Sequence, residues 1–185
     1  LASLEDKAQM NALLKDVDAV VHMGGVSTEQ PWAPILAGNI VGMVNLYESA
    51  RRNGVKRIVF ASSNHVTGFY RQDEVVSPLD TMRPDGHYGL SKAFGENVAR
   101  FYFDRSGIES VCLRIGSSFP EPKDRRMLAT WLSYDDLERL VVAGEAAVRV
   151  RMGKAVSDDA MRMNFIVPLV MFVLIVLAYR TARGT

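Results

Sequence analysis

The chain has one cysteine, Cys112, inside the apolar run SVCLRI, so no disulfide framework can hold it and its stability must come from a packed core. Only three histidines occur, at irregular spacing, and they make no metal-ligand pattern. A marked excess of either charge sign is also missing. Against 21 Asp and Glu stand 22 Lys and Arg, scattered rather than striped, which leaves no basic field for nucleic acid. No G-x-G-x-x-G turn of the kind that receives a pyrophosphate occurs anywhere. The opening LASLEDKAQMNALLKD has neither an initial Met nor the layout of a secretory leader, so the start reads as cut rather than processed. With so little cysteine, a reducing, cytoplasmic setting is the expectation.

What is present is a regular alternation of periods. At 185 residues and 48% hydrophobic content the chain can bury one real core and is too short for two. LEDKAQMNALLKD has amphipathic helical spacing, and VDAVVHM is a short β-branched run of the type buried in parallel sheets. From about Ala33 to Asn53 apolar residues recur at helical spacing, with Gly54 placed as a C-cap. KRIVFASS is a second buried strand, followed by a polar loop of about twenty residues. A helix then carries Tyr88 and Lys92 to about Ser106, before Gly107, and IESVCLRIG is a third strand. Another helix starts near Ser133, where Ser133 and Asp136 form a capping pair. Strands alternating with helices predict βαβ units and a parallel sheet.

The character changes downstream of about Gly144, so residues 1–144 and 145–185 read as separate regions. FIVPLVMFVLIVLAY is a run of fifteen uncharged, nearly all apolar residues, followed by Arg180 and Arg183. Only when Met163 and Asn164 are counted does it reach the roughly 17–25 residues of a membrane span. Pro168 suits the first turns of an apolar helix over about 164–180. Three readings stand for it: a membrane-contacting helix, a buried core helix, or the product of a frameshift or fusion.

The chemistry gathers where strands end, as it does in open α/β sheets. Three such ends carry small or polar residues: MGGVS, SSNH and GSS. Between them in sequence lies HYGLSK. A phenol titrates near 10 and serves as a base near neutrality only if its anion is stabilised. Lys92, four residues beyond Tyr88, shares its helical face and is expected to lower the phenol's pKa through its charge.

SSN on a strand end followed by YGLSK resembles the extended short-chain dehydrogenase/reductase superfamily, which also holds sugar-nucleotide epimerases and dehydratases. Six stretches, VVHMGGVS, GNIVGMVNLYESAR, RIVFASSNHVTGFY, RPDGHYGLSKAFGENVARFYFD, LRIGSS and EPKDRRMLATWLSYDDL, are similar to the uronate dehydrogenases within it. That resemblance covers residues 1 to about 144. It implies NAD-dependent oxidation of the anomeric carbon of galacturonate or glucuronate to an aldarolactone. By the same resemblance Tyr88 as phenolate takes the anomeric hydroxyl proton, Lys92 stabilises it and holds the nicotinamide ribose, and Ser63 bonds the reacting oxygen. Ser27, Asn64, His65 and Ser117 meet sugar hydroxyls, and the planar fork of Arg126 grips the carboxylate. Met23, Gly24, Gly25, Asn39 and Ile115, together with Tyr88 and Lys92, face the cofactor. No metal is implied.

The implied fold is α/β, a partial Rossmann-like doubly wound parallel sheet that lacks the first three strands and the glycine-rich loop, with the C-terminal apolar helix added. VDAVVHM would then be an uncovered apolar edge, and catalysis by the chain alone would be impaired. Two other readings stay open: a sugar-nucleotide epimerase or dehydratase sharing the Tyr and Lys chemistry, and a non-catalytic, membrane-associated remnant. Also open are membrane contact through 164–180, a homo-oligomer and which uronate is taken.

Overall fold

The structure is a computed structural model that describes residues 2–125, 127–149 and 174–175. Helix α1 (Lys7–Leu13) opens on Asp6, whose carboxylate accepts the Ala8 and Gln9 backbone N–H groups at 2.9 and 3.0 Å. Strand β1 (Ala19–His22) follows. The long helix expected from Ala33 runs from Trp32 to Asn53, but in three parts: α2 (Trp32–Ile35), a wide π-helical turn (Leu36–Val41) and α3 (Gly42–Asn53). It ends on Gly54 at φ 74°, the left-handed conformation for which glycine is chosen. Strand β2 (Arg57–Ser63) leads into a 3₁₀ turn (Asn64–Thr67), and α4 (His87–Ser106) ends on Gly107 at φ 69°.

Beyond α4 come β3 (Glu109–Ile115), β4 (Ser117–Ser118), a 3₁₀ turn (Met127–Ala129), β5 (Trp131–Leu132) and α5 (Tyr134–Arg149). The expected cap of α5 is present: the Asp136 backbone N–H donates to Ser133 Oγ at 3.0 Å, and that hydroxyl donates to Asp136 Oδ2 at 2.8 Å. Strands β1, β2 and β3 are parallel, with β2 central; Ala19 to His22 pair with Arg57 to Phe60, and Arg57 to Ser63 with Glu109 to Ile115. A separate parallel pair joins β4 to β5.

The central strand is buried on both faces, which explains its unbroken apolar sequence. On one face Ile58 and Phe60 meet Met10 and Leu14 of α1, Met43, Leu46 and Tyr47 of α3, and Val98, Ala99 and Tyr102 of α4. On the other, Ala61, Leu113 and Ile115 pack with Met23, Leu132 and the α5 residues Leu137 and Leu140. Helices therefore cover both faces, the doubly wound arrangement expected.

The C-terminal expectation fares differently. A two-residue strand, β6 (Leu174–Ile175), pairs antiparallel with His22 and Val21, so over that stretch the apolar run is extended rather than helical and part of the β1 edge is covered. An apolar run satisfies a buried strand as readily as a helix, so composition does not separate them. The rest of the helix expected over 164–180 lies outside the described residues. Among the described residues no helix is long and apolar enough to cross a membrane.

Candidate active site

Tyr88 and Lys92 sit in the first turns of α4, which lays them against the carboxyl ends of the strands; both are buried, at 7% and 6% exposure. The Tyr88 phenol is hydrogen-bonded to Ser63, the last residue of β2. Lys92 Nζ donates to the Ala61 carbonyl at 2.7 Å and lies 5.7 Å from the Tyr88 ring centroid and 5.0 Å from that of Phe60. Tyr88, Lys92 and Ser63 are thus brought together at the strand ends.

Their electrostatics correct one expectation. The Tyr88 phenol is held above its ordinary value because burial penalises the phenolate, and the Ser63 hydrogen bond works in the opposite direction. The Lys92 pKa is itself lowered to about 8 by burial. The Lys92 charge is felt by His22, a buried ring stacked 5.6 Å from Phe60, whose pKa falls to about 3 through burial first and the Lys92 charge second. Desolvation outweighs the helical-face pairing because both groups point into the protein rather than along a wet surface.

Asn39 serves as a clamp. Its Oδ1 accepts the Val26 N–H at 2.7 Å, while Nδ2 donates to the Val26 carbonyl at 2.9 Å and to Ser91 Oγ at 2.8 Å; Ser91 in turn donates to the Tyr88 carbonyl at 2.7 Å. The turn after β1 is thereby tied to the helix bearing Tyr88. Gly25 sits beside Asn39 at φ 102°, where a side chain would be strained and would crowd the Asn39 amide. Met23 and Ile115 lie in the apolar cluster under α5, and Gly24 and Gly25 present main chain at the end of β1.

The other predicted residues are placed unevenly. Asn64 and His65 begin the turn after β2, half-buried, and the His65 N–H donates to Ser63 Oγ at 3.2 Å. The His65 ring stands edge-on to Tyr88 with centroids 5.7 Å apart. Ser27 is half-buried in the loop beyond β1. Ser117 is fully buried at the start of β4, and its Oγ has no hydrogen-bond partner among the described residues. Arg126 lies outside the described residues.

Several contributors escaped the sequence reading. Helix α4 starts on Gly86, which has no capping side chain, and Glu29 from the loop after β1 supplies the cap: its carboxylate accepts the His87 and Tyr88 N–H groups at 3.1 and 3.0 Å. A helix start without Ser, Thr, Asp or Asn is the one sequence signal that a distant cap is needed. Asp85 receives His65 Nδ1 at 2.9 Å from each carboxylate oxygen. Below Ser63, Ser62 Oγ donates to Glu96 at 2.6 Å, and Arg114 forks onto the same carboxylate at 3.0 and 2.9 Å. That ion pair ties α4 to β2 and β3 one turn past Lys92.

The chain is similar to known proteins in sequence and in fold. Residues 2–145 match the model of the NAD dependent epimerase/dehydratase family. A uronate dehydrogenase of Pseudomonas putida is 60% identical over 141 residues, covering 76% of this chain and 53% of the relative. The crystal structure of uronate dehydrogenase from Agrobacterium tumefaciens superposes with a TM-score of 0.76 at 47% identity, over 90% of this chain and 57% of that one. A mutant of the Agrobacterium tumefaciens enzyme, solved in complex with NAD, matches at 46% identity and the same TM-score, over 90% and 58% of the two chains. The chain spans about half the length of the curated relatives it matches. From this match and from the Tyr88, Lys92 and Ser63 constellation, the chain belongs to the NAD dependent epimerase/dehydratase family.

Proposed function

We propose that this chain carries the proton-handling and sugar-facing part of an NAD-dependent uronate dehydrogenase, acting on the anomeric carbon of galacturonate or glucuronate. The observation that carries the reading is the buried Tyr88 phenol bonded to Ser63, with Lys92 beside it at the strand ends. The names of the relatives supply the substrate class.

The residues suit one side of a nicotinamide cofactor. An ammonium has three donors, and Lys92 Nζ gives one to Ala61, so ribose hydroxyls can take the others. Gly24 and Gly25 offer backbone without side chains in the way, Met23 and Ile115 supply an apolar wall, and Asn39 holds the turn in place. When bound there, NAD would supply the hydride acceptor that the oxidation needs. Tyr88, as phenolate, receives the proton of the anomeric hydroxyl as its C–O bond becomes the lactone carbonyl, and Ser63 donates to that oxygen. Until the sugar is seated, the hydrogen bond from Ser63 to Tyr88 opposes the burial that disfavours the phenolate, and its single proton then turns to the anomeric oxygen. Asn64, His65, Ser27 and the orphaned Ser117 hydroxyl meet sugar hydroxyls, which would otherwise lose their water partners uncompensated. Arg126 takes the substrate carboxylate in its planar fork.

The test is NADH production from D-galacturonate, D-glucuronate and UDP-sugars by the chain alone and by a chimera carrying the N-terminal half of the Pseudomonas putida relative. Activity on free uronates in the chimera, with little or none in the chain alone, is the expected outcome. A folded chimera that is inactive on free uronates, or that prefers UDP-sugars, would sink the reading.

A further inference from the structure

We infer that Asp85 is a positioning residue: it fixes the proton of neutral His65 on Nδ1 and so presents Nε2 as a hydrogen-bond acceptor for a substrate hydroxyl. Both Asp85 oxygens lie 2.9 Å from His65 Nδ1. A carboxylate only accepts, so the shared proton belongs to the ring nitrogen, and a neutral ring must then leave Nε2 bare.

The surroundings are shaped for this contact. Asp85 has room only because residue 68 is glycine: a Cβ there would run into the Asp85 carboxylate. The 3₁₀ turn can press on α4 only because residue 89 is glycine, since a Cβ would collide with the His65 carbonyl. The ring itself is braced edge-on against the Tyr88 ring, with centroids 5.7 Å apart. Two glycines and an aromatic contact thus fix the ring, and Asp85 fixes its tautomer. An acceptor at this point recognises a sugar O–H, whereas an N–H donor would recognise a hydroxyl lone pair, so the tautomer decides which way the sugar's hydrogen bond runs. This inference rests on the uronate reading for the identity of the hydroxyl, but not for the tautomer.

The experiment uses the ¹⁵N-labelled full chain, at about pH 8.5 where imidazole is ordinarily neutral, and reads His65 Nδ1 and Nε2 by long-range ¹H–¹⁵N correlation. The Nδ1–H form is expected in the wild type. In Asp85→Asn the new amide can donate to Nδ1, which moves the proton to Nε2 without removing the side chain. Asp85→Ala, with no partner, should give a mixture of the two forms. A titration with D-galacturonate on the same samples should show the Kd rising about tenfold in Asp85→Asn, the size of one lost hydrogen bond. A wild-type ring carrying its proton on Nε2 would overturn the inference. So would galacturonate binding equally well to wild type and Asp85→Asn. Absence of saturable galacturonate binding to the wild type would instead overturn the uronate reading, while the tautomer measurement still decides what Asp85 does.

Discussion

Replacing Lys92 with Met should make the fold more stable at neutral pH and lose that advantage in alkali. Burial lowers Lys92 from 10.5 to about 8. At about 1.4 kcal/mol for each pKa unit, the protonated amine costs the fold about 3 kcal/mol relative to the neutral one at pH 7. The unfolded chain keeps this proton up to the ordinary lysine range, while the folded chain releases it near 8. Between those limits the unfolded state binds more protons, so wild-type stability gained from this site rises with pH; below about 8 the penalty is present in full. Methionine has a similar length and no charge, but it forfeits the Nζ–Ala61 hydrogen bond, about 1 kcal/mol. The net expectation for Lys92→Met is a gain of about 2 kcal/mol at pH 7 that shrinks to nothing by about pH 10. Urea unfolding of both proteins at the two pH values, followed by tryptophan fluorescence, measures it. A variant that is less stable than wild type by the same amount at both would refute the argument, since it would mean that the amine carries no desolvation penalty.

Three further outcomes follow from the site. Tyr88→Phe in the active chimera should lower kcat by roughly 10²–10⁴-fold with KM nearly unchanged, because the ring stays and only the proton acceptor goes; steady-state kinetics decide. Glu29→Ala should cost about 1 kcal/mol by freeing two N–H groups at the start of α4, whereas Glu29→Gln, which keeps an acceptor oxygen, should cost less; denaturant midpoints separate them. Glu96→Ala should cost about 3–5 kcal/mol by stranding Arg114, whose side chain is 17% exposed, and the double change Glu96→Leu with Arg114→Met should recover most of it in the same unfolding assay.

What could be seen in the sequence is what depends on near neighbours. The four-residue step from Tyr88 to Lys92, the glycines that end α3 and α4, and the Ser133–Asp136 cap are set within a turn or two of helix, and each stands where the pattern put it. The strand ends were legible because a buried parallel strand is a short apolar run that stops at small polar residues. Glu29 was not, because it is 58 residues from His87 and acts only once the β1 loop has folded over α4. Asp85 escaped for the same reason, and the direction of the Tyr88 shift did so because it is decided by burial, which no local pattern records. Leu174 and Ile175 pair with β1 where a helix was expected, since an apolar run carries no mark of the period it will adopt.

The wide turn at Leu36–Val41 has a consequence for how this protein can tolerate insertion and deletion. A π-helical turn holds one residue more than the α-helix closes over, so the chain on either side is offset by about 100° of helical phase. Asn39 lies within that turn and reaches both the β1 loop and Ser91, while α3 beyond it lays Met43, Leu46 and Tyr47 on the sheet. Deleting a single residue between 36 and 41 would straighten the helix and force a choice: keep the Asn39 clamp and rotate the core face of α3 away, or keep the core and swing the clamp out. Among the helices around the site, this is the one where a codon's loss would be felt as a change of phase rather than of length.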